Sequence, residues 1–387
     1  MTKASDIVAV ARRLVPQIVA ARGEAEHLRR MPQALSDRLA AAGLYDMFLP
    51  SVLGGLELPP LTVFEAIETV SAADGSVGWC LLNGNLLAHF TAGLPTDAAR
   101  SMFGSPPNLR AAGGLRPQGR ARPVQDGYLV SGRADFVSGL HNATWLYCTC
   151  FVMDGDVPRQ GKNGAPETRA MWIPAGAAKF LDTWSVVGMR SSGSDDFVID
   201  DVFVPASHTT SLAEPPVLNS RLYRHRGVIP IVMSLFAANA LGVARGAIDS
   251  LMEVATRQGT SRSTVLLRDR PDLQVSLAQA EAIVGAARSF VVEGLTRLWD
   301  ALGDNETDLD MPIARVRLSI THAIHDSVRA VDVAFHAAGT NAIYTANPLE
   351  RHFRDIHVAV QHVQAHKSMY EQAGKALLGI RPTEPGW

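Results

Sequence analysis

The apolar positions of this chain change their period twice. Ile7, Val10, Ala11, Leu14, Val15, Ile18 and Val19 recur at the spacing of one helical face, and Leu35, Leu39 and Leu44 resume it, so two helices are expected over 6–45. A Pro/Gly-rich break runs from Pro50 to Pro60. Beyond it, 61–77, 78–90 and 97–103 lack β-branched runs and read as further helices. From Leu109 to Pro205 the texture is different. Short segments at 127–130, 145–153, 170–173 and 197–204 are separated by Gly, Pro, Asn and Asp, the pattern of strands and turns. The polar, Gly/Pro-rich stretch 154–168 is expected to be a mobile hairpin loop. After Pro215 helical periodicity returns over 228–253, 272–302, 312–338 and 347–378, four helices each roughly 40 Å long at 1.5 Å per residue. The expected organisation is α+β, with an N-terminal helical domain over 1–105, a central β-domain over 106–215 and a C-terminal four-helix bundle over 216–387.

Composition narrows the classes of partner. With 387 residues, 47% of them hydrophobic, the chain can bury a large core, which argues against disorder. Its 36 basic and 38 acidic side chains nearly cancel, and no long Lys/Arg cluster offers a footprint for nucleic acid or an anionic membrane. The N-terminus passes straight into an amphipathic pattern without a signal segment, and the longest apolar run, near 227–241, is short for a membrane span. A cytoplasmic location is therefore expected. Cys80, Cys148 and Cys150 fit neither a disulfide framework nor a redox or zinc pair and read as reduced core residues.

Helices, β-domain and bundle in this order, at this length, resemble the acyl-CoA dehydrogenase fold over essentially the whole chain. The motifs agree. Gly127 to Arg133, followed by Phe136-Val137-Ser138-Gly139, is similar to the strand pair that carries a flavin-contacting Ser or Thr in that superfamily. Trp184 to Asp195 and the exit Asp201 to Pro205 resemble its next β-segment. A dehydrogenase, however, needs a Glu to take the substrate's α-proton. Past the Arg354-Asp355 pair that position holds Val363, no Gly-Thr follows it, and no acidic residue lies between Glu214 and Asp249, where an alternative base would stand.

What remains resembles the flavin-dependent monooxygenases built on this fold, such as the oxygenase components of 4-hydroxyphenylacetate hydroxylase and dibenzothiophene monooxygenase. Their Gly-x-Arg-Gly-Thr-Gly-Ser loop is matched by Gly188-Met189-Arg190-Ser191-Ser192-Gly193-Ser194, and their His late in the last helix by His362. The resemblance implies a two-component system in which a separate NAD(P)H:flavin reductase supplies FMNH2 or FADH2, and O2 is the co-substrate. Oxygen would add at the flavin C4a carbon, and the hydroperoxide would oxygenate an aromatic or heteroaromatic molecule. No Gly-x-Gly-x-x-Gly unit for NAD(P)H is present.

On the same resemblance His362, His89 and Ser138 are the catalytic candidates, and His89 and His141 face the substrate. Ser138, Trp145, Ser192, Ser194, Arg262, Gly339 and Thr340 contact flavin, and a homotetramer is expected. Several of these positions also admit plainer readings: a solvated or packing histidine at 362, a core histidine at 89, a core aromatic at 145, a simple helix-helix turn at 339. His362 and His366 are one turn apart on the expected helix, but no third metal ligand is evident and none is expected. Two other functions stay open from the residues: an acyl-CoA dehydrogenase with Glu253 or Glu281 as a displaced base, and an inactive scaffold of the same fold.

Overall fold

The computed structural model describes residues 4–161, 164–224, 228–257, 259–260, 263–304 and 308–383. Five helices come first: α1 (Ala4–Leu28), α2 (Gln33–Ala41), α3 (Pro60–Ala73), α4 (Gly75–Phe90) and α5 (Thr96–Phe103). Pro60 opens α3, where a missing N–H costs nothing. Asp74 caps α4 by accepting the Val77 N–H at 3.1 Å. Nearly every residue of α4 is buried, which makes it a core helix rather than a surface one.

The middle of the chain forms one eight-stranded sheet. Its strands are β1 (Ala111–Val124), β2 (Gly127–Ala134), β3 (Trp145–Asp154), β4 (Val157–Pro158), β5 (Thr168–Pro174), β6 (Lys179–Leu181), β7 (Asp196–Pro205) and β8 (Thr209–Thr210). The order is β6-β7-β2-β1-β3-β5-β8, with β4 against β3. Only β1 and β3 run parallel, and the other pairs are antiparallel. Ala112, Val130, Leu146, Cys150, Ile173 and Phe197 lead its own small core. All three cysteines are buried and free.

Three long helices follow, α6 (Val228–Arg257), α7 (Pro271–Gly303) and α8 (Asp310–Ala338), with the short strands β9 (Gly259–Thr260) and β10 (Ser263–Leu266) between the first two. By length and composition α6 and α7 could each cross a membrane, but 94% of the apolar window of α6 is buried inside the fold. That helix is the centre of the main core, which also takes in α3 and α4. In α7 only 22% of the corresponding window is buried, so much of its apolar face points outward.

The expected last helix over 347–378 is broken. It divides into α9 (Pro348–Ala359), a single 3-10 turn at Val363–Ala365, and α10 (Lys367–Leu377). The break is held from α8: the Thr321 hydroxyl donates to the Gln364 carbonyl and His325 Nε2 to the Ala365 carbonyl, each at 2.8 Å. Those carbonyls would otherwise accept from the next helical turn, and β-branched Val358, Val360 and Val363 add little to defend it. His362 therefore stands at a corner and not on a helix face.

Candidate active site

Two backbone segments of the sheet domain meet under α4. The turn carrying Ser138 and the loop from Gly188 to Asp195 are tied together by Gly139 N–H to the Ser192 carbonyl, 2.9 Å, and Val137 N–H to the Asp195 carbonyl, 3.2 Å. Phe136, Gly139, Met189 and Gly193 all have left-handed φ, the bends that turn both segments inward. Three buried hydroxyls result. Ser138 Oγ lies 2.8 Å from Ser194 Oγ, which lies 2.7 Å from Ser192 Oγ. Trp79 of α4 donates its indole N–H to Ser138 Oγ at 3.0 Å. An indole only donates, so Ser138 accepts there, while either partner can donate within each serine pair.

The other wall is aromatic. Trp79 meets Phe236 of α6 edge-on at 5.1 Å and His362 at 5.5 Å, and Phe236 and His362 stack at 4.0 Å with 16° between their planes. His362 Nδ1 accepts the Gln364 N–H at 3.4 Å, which assigns the ring proton to Nε2. Burial among apolar atoms, with no acid beside it, lowers its pKa to about 4. The imidazole is thus neutral at physiological pH, and its Nε2–H is a fixed donor. Beside the serines, Phe136 is 71% exposed and Val187 71% exposed, with Trp184 edge-on to Phe136 at 6.3 Å. An exposed apolar surface, a buried hydroxyl chain and a half-buried, neutral histidine thus lie together.

Among known proteins, the model of the acyl-CoA dehydrogenase C-terminal domain family matches residues 234–367. The indole-3-acetate monooxygenase of Pseudomonas putida is 32% identical, the match covering 94% of this chain and 91% of that protein. The chain belongs to the flavin-dependent monooxygenases of the acyl-CoA dehydrogenase fold. The FADH2-dependent resorcinol hydroxylase oxygenase component of a Rhizobium species is 27% identical over 93% of this monooxygenase and 90% of its own length. The solved structure of XiaF from Streptomyces with FADH2 and glycerol superposes with a TM-score of 0.88 at 25% identity, covering 99% and 97% of the two chains.

The site suits a reduced flavin on its own chemistry. The exposed Phe136 ring offers an apolar face, and the serines beside it offer hydroxyls that can donate or accept along a ring edge. No carboxylate hydrogen-bonds to Trp79, Ser138, Ser192, Ser194 or His362 among the described residues. The displaced-base candidates stand elsewhere in the monooxygenase. Glu281 pairs with Arg245 at 2.8 Å and Glu253 with Arg257 at 2.8 Å; Glu253 is 17 positions beyond Phe236 on α6, about 25 Å along the axis.

The expected residues divide into those at this centre and those away from it. Ser138, Ser192, Ser194 and His362 come together. His141 lies beside them in a polar bracket: its Nε2 is 2.7 Å from Asp195 Oδ2, and its Nδ1 is 3.0 Å from Arg30. Although burial pushes the Asp195 carboxyl upward, His141 and the backbone N–H groups of Trp184 and Thr183 hold it below its ordinary value. His141 thus braces the serine loop through Asp195.

His89 is 1% exposed and sits ten residues, about 15 Å, further along α4 than Trp79. Its Nε2 lies 2.8 Å from the Leu222 carbonyl among Phe48, Phe90 and Tyr223, and burial lowers its pKa to about 4. This geometry is that of a core histidine. Trp145 is partly buried and packs edge-on against Phe103 and His208. Gly339 and Thr340 line a separate cavity of about 480 Å³ with Leu267, Arg270, Ser276 and His336. Arg262 lies outside the described residues. His362 and His366 each cap a different turn, so they present no shared helical face to a metal.

Sequence reasoning passed over Trp79, Phe236 and Phe136. For Phe136 a signal was present, an aromatic two residues before Ser138 in the motif itself. For Trp79 and Phe236 there was none, since each sits in an apolar helix where a core position looks the same.

Proposed function

We propose that this monooxygenase receives FMNH2 or FADH2 from a separate NAD(P)H:flavin reductase and uses O2 to hydroxylate a small aromatic or heteroaromatic ring. The observation that carries the reading is His362, neutral and stacked on Phe236, in a wall that adjoins the Ser138-Ser194-Ser192 chain and to which no carboxylate hydrogen-bonds among the described residues. The reduced flavin supplies the electrons that activate O2. The protein supplies the rest. Phe136 would offer the ring an apolar face, and the serine hydroxyls, anchored by the Trp79 N–H, would hold its polar edge. His362 Nε2–H would donate a hydrogen bond at the reacting face while the ring stays neutral. Trp79 and Phe236 pack around His362 and would limit the access of water to that side of the site. The substrate would lie on this apolar side, where aromatic rings are the complementary chemistry.

The partly uncovered apolar face of α7, with Val275 57% exposed, supports association into a homotetramer through bundle helices. The cavity around Gly339 and Thr340, whose Arg270 is paired with Asp272, would offer a hydroxyl and an arginine to a flavin carried by a neighbouring subunit. A cytoplasmic location accompanies a soluble flavin supply.

The test is a single turnover. Protein loaded anaerobically with reduced FMN or reduced FAD is mixed with 18O2 and a panel containing indole-3-acetate, indole and resorcinol, and products are read by mass spectrometry. Incorporation of one labelled oxygen into a ring is the expected result. Oxidation of bound flavin with no labelled product across the panel, together with acyl-CoA oxidation using an artificial acceptor, would refute the proposal.

A further inference from the structure

The loop that carries Ser192 and Ser194 is fastened to α9 at three consecutive residues. Arg354 Nη1 donates to the Val187 carbonyl at 2.6 Å. Gly188 lies flat on the helix, where any Cβ would collide with the Arg354 carbonyl. Met189 N–H donates to Asp355 Oδ1 at 2.5 Å. Asp355 is 3% exposed, and its second oxygen reaches the first residue of α4: a Cβ built on Gly75 would stand 3.3 Å from Oδ2. The same helix holds the cap of α4, because Arg351 Nη1 pairs with Asp74 Oδ2 at 3.3 Å. Six residues beyond Met189, Asp195 is locked by His141, so the serines hang between two fixed points. Met189 itself is buried with φ at +53°, a bend a side chain adopts only when its surroundings impose it.

We propose that Asp355 is a positioning residue for the oxygenase: it sets the register in which Ser192 and Ser194 meet Ser138 and Trp79, and thereby the affinity for reduced flavin. The carboxylate touches neither the serines nor any reacting atom. It acts by filling the gap between the serine loop and the N-terminus of α4, where a helix dipole also favours a negative group. Burial, and next the charge of Asp74, push its pKa up to about 7, against the Met189 N–H, Arg354 and Arg351. An acid kept there at that cost in desolvation has a bond to make, and Met189 N–H is the bond the structure shows. The inference rests on reading the serine loop as the flavin cradle.

The experiment is anaerobic titration of the full-length protein with reduced FMN and with reduced FAD, for wild type, Asp355→Ala, Asp355→Asn and Arg354→Met. Asparagine keeps an oxygen for the Met189 N–H and alanine does not. Asp355→Ala is therefore expected to raise Kd about tenfold or more, and Asp355→Asn to stay within about threefold of wild type. A role in stability alone would lower the melting temperature of both variants yet leave Kd of the folded molecules unchanged, and that result overturns the proposal. Equal weakening by alanine and asparagine also overturns it, because charge and not the Met189 bond would then be responsible. Should Asp355→Ala not fold, Arg354→Met removes the neighbouring Val187 fastening; a Kd raised about threefold or more supports the proposal, and an unchanged Kd refutes it. Wild type that binds neither flavin overturns the functional reading and this inference together.

Discussion

If His362 works as a neutral donor, acidification should leave it unprotonated far below the usual histidine range. With a pKa of about 4, only ~1% of His362 carries a second proton at pH 6, against roughly three quarters of an ordinary histidine with a pKa near 6.5. The cause is structural: Phe236 covers one face of the ring at 4.0 Å, Trp79 packs against it at 5.5 Å, and among the described residues no carboxylate hydrogen-bonds to it to stabilise the cation. The assay is kcat/KM for reduced flavin between pH 5 and 8.5, which reports groups on the free enzyme and free flavin. Wild type and His362→Asn should then share the same pH profile, differing in height alone, since any limb in this range belongs to flavin or to another residue. An acid limb near pH 6.5 that is present in wild type and absent from His362→Asn would refute the reasoning. It would mean that His362 titrates normally and that the aromatic wall does not keep it dry.

Four further outcomes are expected. His362→Ala should cut labelled product by about a hundredfold or more while reduced-flavin Kd moves only a few-fold, measured by single turnover and anaerobic titration. Ser138→Ala leaves the Trp79 N–H without its acceptor and should weaken reduced flavin about five- to tenfold, read in the same titration; an unchanged Kd would remove Ser138 from the cradle. Trp145→Leu should lower the melting temperature yet leave flavin affinity as it is, since its ring packs on Phe103 and His208. His89 is depressed to about 4 in the folded state, so the unfolded chain takes up the proton first as pH falls below about 6.5, and stability is lost from there down to about pH 4. His89→Gln, which keeps a donor for the Leu222 carbonyl but does not titrate, should therefore lose about 2 kcal/mol less stability than wild type between pH 7.5 and 5.0 in urea unfolding.

Much of this enzyme was legible before any coordinates. The helical period, the strand-and-turn texture between Leu109 and Pro205, and the return to long helices reveal the architecture, because such patterns are carried by residues close together in the chain. The Ser138 motif, the 188–194 loop and the valine standing at 363 were likewise readable, and they pointed to flavin and away from the dehydrogenase base. Other features depended on contacts between distant residues. Nothing near His362 marks a helix end; the break exists because Thr321 and His325 of α8 take the carbonyls of Gln364 and Ala365. Trp79 and Phe236 are ordinary apolar helix positions until packing places them against His362, and His89 resembles a site residue until packing buries it elsewhere. Asp355 is one more charge on a helix until the fold seats it between Met189 and Gly75. Local sequence determines which elements form, since propensity and periodicity act over a turn or two. Which side chains meet in the site, and whether a histidine there is wet or dry, is decided by packing across more than two hundred residues of chain, and only the tertiary structure contains that.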